Sequence, residues 1–124
     1  MSSAALLTID QIREMARCLK EPARFVELFG DSVIVTVADI MAVSREFDWA
    51  DSIRLLDAQG QGEYSVVISE ARIVYYRALS SARRDPKADF LKAREDARKV
   101  WDHTLAPAWA AAYIASEQRA GRAL

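Results

Sequence analysis

Hydrophobic residues along the chain recur mainly at steps of three and four, the period of helices that bury one face. Ile12, Met15, Ala16 and Leu19 share such a face, and Thr8 with Gln11 has capping-box spacing, which predicts a first helix from Thr8. Pro22 ends or kinks that helix and suits the first position of a short one, Ala23 to Phe29, before the punctuation of Gly30-Asp31. Ser32 to Val37 is dense in β-branched residues and competes as a strand. The stripe Val33, Ile34, Val37, Ile40, Met41 and Ser44 outruns strand length, however, and predicts a helix from Ser32. Asp48 reads as the N-cap of another short helix, with Trp49, Ile53 and Leu56 inward. Gln59-Gly60-Gln61-Gly62 then reads as a hinge.

Two long helices account for the remainder. From Glu63 to about Arg83 the core face is Tyr64, Val67, Ile68, Ala71, Val74, Tyr75, Ala78 and Leu79. Asp85-Pro86 has the form of an N-cap followed by proline at the first helical position. Beyond it Phe90, Ala93, Ala97, Trp101, Leu105, Trp109 and Tyr113 run along one side, and Gly121 is the expected stop. Pro107 lacks an amide donor and crowds the carbonyl of His103, so this helix is expected to be kinked or broken there. The fold class is all-α: a compact bundle of five or six helices, one domain over 8–124 behind a flexible 1–7 tail.

The helix from Glu63 carries a second line opposite its core face: Val66, Ser69, Ile73, Tyr76 and Ser80. Its steps of 3, 4, 3 and 4 are those of a heptad seam. A helix apolar on two sides is either the buried centre of its bundle or presents one side to a partner. Small serines and a tyrosine anchor suit an interface. Trp101, Trp109 and Tyr113 have the same two readings, core or a groove beside Pro107 into which Ala110-Ala111-Ala112 would admit another helix.

Charge narrows the classes. Seventeen basic and eighteen acidic side chains leave a net charge of -1, so no global cationic field draws the chain to nucleic acid or anionic lipid. The distribution is uneven: 1–62 carry six basic and ten acidic residues (-4), 63–124 eleven and eight (+3). Arg83, Arg84 and Lys87 cluster at a helix junction and could meet a phosphate or an acidic partner. Thr36 to Asp57 has roughly the layout of a helix-turn-helix, but its second helix offers Asp48, Asp51 and Asp57 against Arg54, poor chemistry for phosphate.

Catalytic and metal signatures are absent from the sequence. There is no G-x-S-x-G, P-loop, G-x-G-x-x-G or C-x-x-C pattern. His103 is the only histidine, and its spacing of seven from Asp96, repeated to Asp89, separates neighbours by about 10.5 Å of helix, too far for ligands of one ion. Cys18, flanked by Arg17 and Lys20, is a lone thiol without an evident base; one cysteine also means no internal disulfide, as expected of a cytoplasmic protein. The N-terminal Met1 to Leu7 has no basic region and only a short apolar run, unlike a signal peptide, and no stretch approaches the roughly 18 apolar residues of a membrane span. The expectation is a non-enzymatic protein–protein interaction module without cofactor or metal, a small adaptor or inhibitor, with self-association through the 66–80 face as one form. The composition suits a bacterial or phage accessory protein. The runner-up is a small nucleic-acid-associated regulator using the 36–57 hairpin or the Arg83, Arg84 and Lys87 corner.

Overall fold

Thr8 and Gln11 close the expected capping box: the Thr8 amide donates to Gln11 Oε1 at 2.8 Å and the Gln11 amide to Thr8 Oγ1 at 3.4 Å. A computed structural model describes residues 3–15 and 20–124, so the Cys18 reading and the Leu19 end of the first stripe lie outside the described residues. In chain order these form β1 (Ala5–Thr8), α1 (Ile9–Met15), α2 (Lys20–Phe29), β2 (Ser32–Val35), α3 (Val37–Ala42), a 3-10 turn (Asp51–Leu55), α4 (Ala58–Arg84) and α5 (Phe90–Arg119). The architecture is a compact helical bundle dominated by its two long C-terminal helices.

Where local structure departs from the expected pattern, a cap or a pairing explains it. Ser32–Val35 is extended, not helical: β2 pairs antiparallel with β1 in the register Ala5↔Val35, Leu7↔Val33. Gly30, at φ 74°, turns the chain into this ribbon, and Thr36 caps α3 by accepting the Asp39 amide, so helix begins only at Val37. The β-branched density of the segment therefore expresses itself once a partner strand is present. Asp48 caps no helix; the next element is the 3-10 turn, which Ala50 precedes. The segment expected as a hinge, Gln59 to Gly62, is the first turn of α4, because Asp57 accepts the Gly60 amide at 2.7 Å and starts the helix there. Asp85 ends α4 rather than opening the next helix; Asp89 caps α5 by accepting the Lys92 amide. Pro107 lies inside α5, which continues through it without a break. Gly121, at φ 74°, terminates α5, with the Arg122 amide returned to the Glu117 carbonyl and the Gly121 amide to that of Gln118.

The core sits at one end of the α4–α5 hairpin, where β1, α1, α2, α3 and the 3-10 turn wrap the start of α4 and the end of α5. Its spine is aromatic: Phe25, Phe29, Phe47, Trp49, Trp109 and Tyr113 succeed one another with ring centroids 5.2–6.3 Å apart. Polar atoms entering it are paired. Trp109 Nε1 donates to the Ser52 carbonyl, Trp49 Nε1 to that of Ser44, and Tyr64 Oη to that of Trp49. The far half of the hairpin, from about Arg72 to Trp101, has only Leu79 and Ala97 fully buried.

Candidate interaction face of the long hairpin

The second line on α4 is exposed along its whole length. Val66, Ile73 and Tyr76 are 56%, 50% and 58% accessible, and Ser69 and Ser80 are exposed between them. The opposite side of the same helix buries Tyr64, Ile68, Ala71 and Leu79. The buried-centre alternative thus does not hold within one chain, since α4 packs on α5 with one face and turns the other to water. Val66 to Ser80 spans about 21 Å of helix at 1.5 Å per residue.

Around Ile73 and Tyr76 this face forms a shallow groove, bounded by Ser69, Arg72, Arg77, Ser80, Ser81 and Arg84. From Ala71 to Arg84 α4 contains no acidic residue. The exposed charges of the two hairpin helices are only partly paired. On α5, Lys92 pairs with Asp96 at 2.8 Å and Arg98 lies 3.5 Å from Asp102. On α4, Glu70, Arg72 and Arg77 have no hydrogen bond or ion pair among the described residues. Desolvating uncommitted exposed charges against complementary ones is how interfaces set register more than affinity.

Arg83, Arg84 and Lys87 do lie together at the hairpin tip, all exposed. Arg83 is stacked 5.2 Å over the Phe90 ring, and Arg84 Nε donates to the Ser80 carbonyl. Lys87 caps the turn through its amide, given to Asp85 Oδ1. The Trp101, Trp109 and Tyr113 set is split by the structure. Trp109 and Tyr113 are fully buried core residues, stacked at 5.2 Å, and belong to no open groove. Trp101 alone is half-buried, edge-on to Tyr75, lining a second groove between α4 and α5 with Val67, Val74, Ala93 and Val100. The 36–57 segment is not a helical hairpin: its second member is the 3-10 turn, whose Ser52 is buried beneath Trp109.

Three buried or clamped carboxylates were not marked by sequence pattern. Asp102 is buried in α5, paired to Arg45 Nε at 2.9 Å, and its Oδ1 has no hydrogen bond. Burial pushes its carboxyl above the ordinary range, against the opposing pull of Arg98 and Arg45. Glu117 takes Arg122 in a fork at 2.8 and 3.1 Å. Asp57 takes Arg119, which holds its carboxyl far below the ordinary 3.8, with the Gly60 amide as the next contribution. Each is explained by an ion pair that fastens one segment to another. His103 is exposed, and no cluster of three metal-ligating side chains exists among the described residues. No described helix is long and apolar enough to cross a membrane. No protein-family model, curated protein or solved structure matches the chain.

Proposed function

We propose that this chain is a non-enzymatic protein–protein interaction module, a small adaptor- or inhibitor-like helical protein whose docking surface is the outward face of α4. The observation that carries the reading is the half-exposure of Val66, Ile73 and Tyr76 along one side of a helix already packed on the other. Exposed singly, such residues are ordinary; aligned at heptad steps over about 21 Å they form a docking strip. Ile73→Asp and Tyr76→Asp test it. Both sites are already wet, so each variant should keep its helical circular dichroism and unfold within about 1 kcal/mol of the parent chain. Association, measured by light scattering and by recovery of bound protein, should be lost. Retained association in both variants would refute the reading.

A second reading rests on the acid-free 71–84 stretch and the exposed Arg83, Arg84 and Lys87 tip. It makes the chain a nucleic-acid-associated regulator gripping phosphate through these cations. Binding to duplex or single-stranded oligonucleotide should then fall steeply between 50 and 200 mM salt, on the order of tenfold or more for even a few phosphate contacts. Undetectable binding at low salt removes it.

A further inference from the structure

We infer that the occupant of the α4 face is a second copy of this chain, docked antiparallel about a two-fold axis beside Ile73; the inference deepens the interaction reading above and rests on it. The argument is the charge pattern flanking the strip. Glu63, Glu70, Arg77 and Arg84 recur at intervals of seven, all exposed and all toward one flank of the Val66 to Ser80 line. Glu70 and Arg77 lie equally far, about 5 Å along the helix, on either side of a point between Ile73 and Val74; Glu63 and Arg84 lie about 16 Å either side of it. A two-fold axis through that point reverses the second helix and keeps each flank on its own side. Glu70 then meets Arg77 of the second copy, and Glu63 meets Arg84, twice over by symmetry.

The centre agrees with the same axis. On the opposite flank Arg72, which this axis sets near its counterpart in the second copy, lies about 100° from the strip's midline, at the outer edge of the contact. Tyr76 projects on that flank about 60° from the strip's midline and Ser69 about 40°, about 4 Å and 7 Å from the axis along the helix, so each tyrosine ring has the small side chain of the other copy's serine as its near neighbour. Val66 faces Ser80, again a large side chain against a small one, and Ile73 meets Ile73. Other occupants fit less well. A uniformly acidic helix would be repelled by Glu63 and Glu70, and a basic one by Arg77 and Arg84. A parallel copy would carry each charged flank across to the other's Ser69 and Tyr76 flank, so that Glu63 and Arg77 would meet no opposite charge. With a single helix pair in contact, the area is small and the dissociation constant is on the order of 1–100 μM.

The test is a charge swap, with Glu70→Arg and Arg77→Glu made separately and circular dichroism confirming that each chain folds. Light scattering and sedimentation track the dimer up to about 1 mM chain, well above the range expected of so small an interface. Each variant alone should dimerise about tenfold or more weakly than the parent, since two attractive pairs become repulsive. Mixed one to one, the variants should recover the parent affinity to within about threefold, because both cross-pairs are then opposite in charge. In a Cys18→Ser background, Ile73→Cys should oxidise to a covalent dimer. A dimer indifferent to the swap, or not restored on mixing, overturns the antiparallel pairing and leaves the interaction reading standing. A parent chain that stays monomeric overturns the second copy as occupant. In that event a photo-crosslinking residue at position 73 separates the two ideas: an adduct with a different protein keeps the interaction reading, and no adduct ends it as well.

Discussion

Asp57 and Arg119, sixty-two residues apart in sequence, are joined by two 2.7 Å hydrogen bonds that clamp the first turn of α4 to the last turn of α5. Ser116 completes the clamp, donating its Oγ proton toward Asp57 Oδ1 at 3.1 Å and lying 3.2 Å from the Asp57 amide. One carboxylate thus caps a helix and fixes the hairpin's open end, where the core lies. The exposed strip runs along the outer side of α4 from this end toward the tip.

Gly60 and Gly62, two residues apart in that first turn, should respond oppositely to alanine. A Cβ at Gly60 would lie 2.8 Å from Ser116 Oγ and 3.2 Å from Leu56 Cβ, so Gly60→Ala forces the clamp apart. The expected loss is about 1–3 kcal/mol, in spite of the better helix propensity of alanine. At Gly62 nothing lies within 4 Å, and Gly62→Ala should stabilise by about 0.5–1 kcal/mol. Thermal and urea unfolding of both variants check the pair.

Asp57 and Asp102 should leave opposite marks on the pH dependence of stability. Asp57 is held below 3.8 when folded, so its contribution is complete above the unfolded value and disappears as pH falls through the folded one. Asp57→Asn should therefore be less stable than the parent near neutrality, with the gap closing in acid below about pH 4. Asp102 is raised above 3.8 by burial, so the folded chain holds its proton longer and the parent loses stability as pH rises through that window. Asp102→Asn should gain on the parent over the same rise. Denaturant titrations at half-unit pH steps from 3 to 7 read both slopes, and parallel curves would contradict the assignment.

Tyr113 joins the last helix to the first strand: its hydroxyl donates to the Leu6 carbonyl at 2.7 Å and accepts from Gln11 Nε2 at 3.1 Å. Burial pushes its ionisation up to about 12. Tyr113→Phe leaves both partners unanswered in a half-dry site and should cost about 1–3 kcal/mol. Hydrogen exchange should show β1 and β2 opening first.

Trp109→Ala and Trp101→Ala separate core from surface along α5. Trp109 is fully buried and bonded to Ser52, so its loss should cost about 3–5 kcal/mol, enough to unfold a marginal domain. Trp101 is half-buried against Tyr75, and its truncation should cost clearly less, about 1–2 kcal/mol. Urea midpoints for the two variants distinguish these outcomes.

Much of this architecture arises from local chemistry. The capping box at Thr8, the stop at Gly121 and the two periodic C-terminal stretches are each set by residues within a few positions of one another. So is the 3-4-3-4 strip on α4, whose positions are dictated by helical pitch alone. Helix limits were legible less well where several aspartates competed as caps. Asp57 and Asp89 prevail over Asp48 and Asp85, and in Asp57's case the stronger cap is one that a distant arginine also holds.

The chain by itself therefore determined the helical class, the long hairpin and the existence of two apolar sides on α4, because these depend on propensity and pitch. Tertiary structure decided which side meets water. It also paired Ser32–Val35 with a strand twenty-seven residues upstream, seated Trp109 and Tyr113 in the core, and carried α5 through Pro107. Those outcomes depend on which segments arrive beside one another, and periodicity records only that a face is apolar, never what covers it.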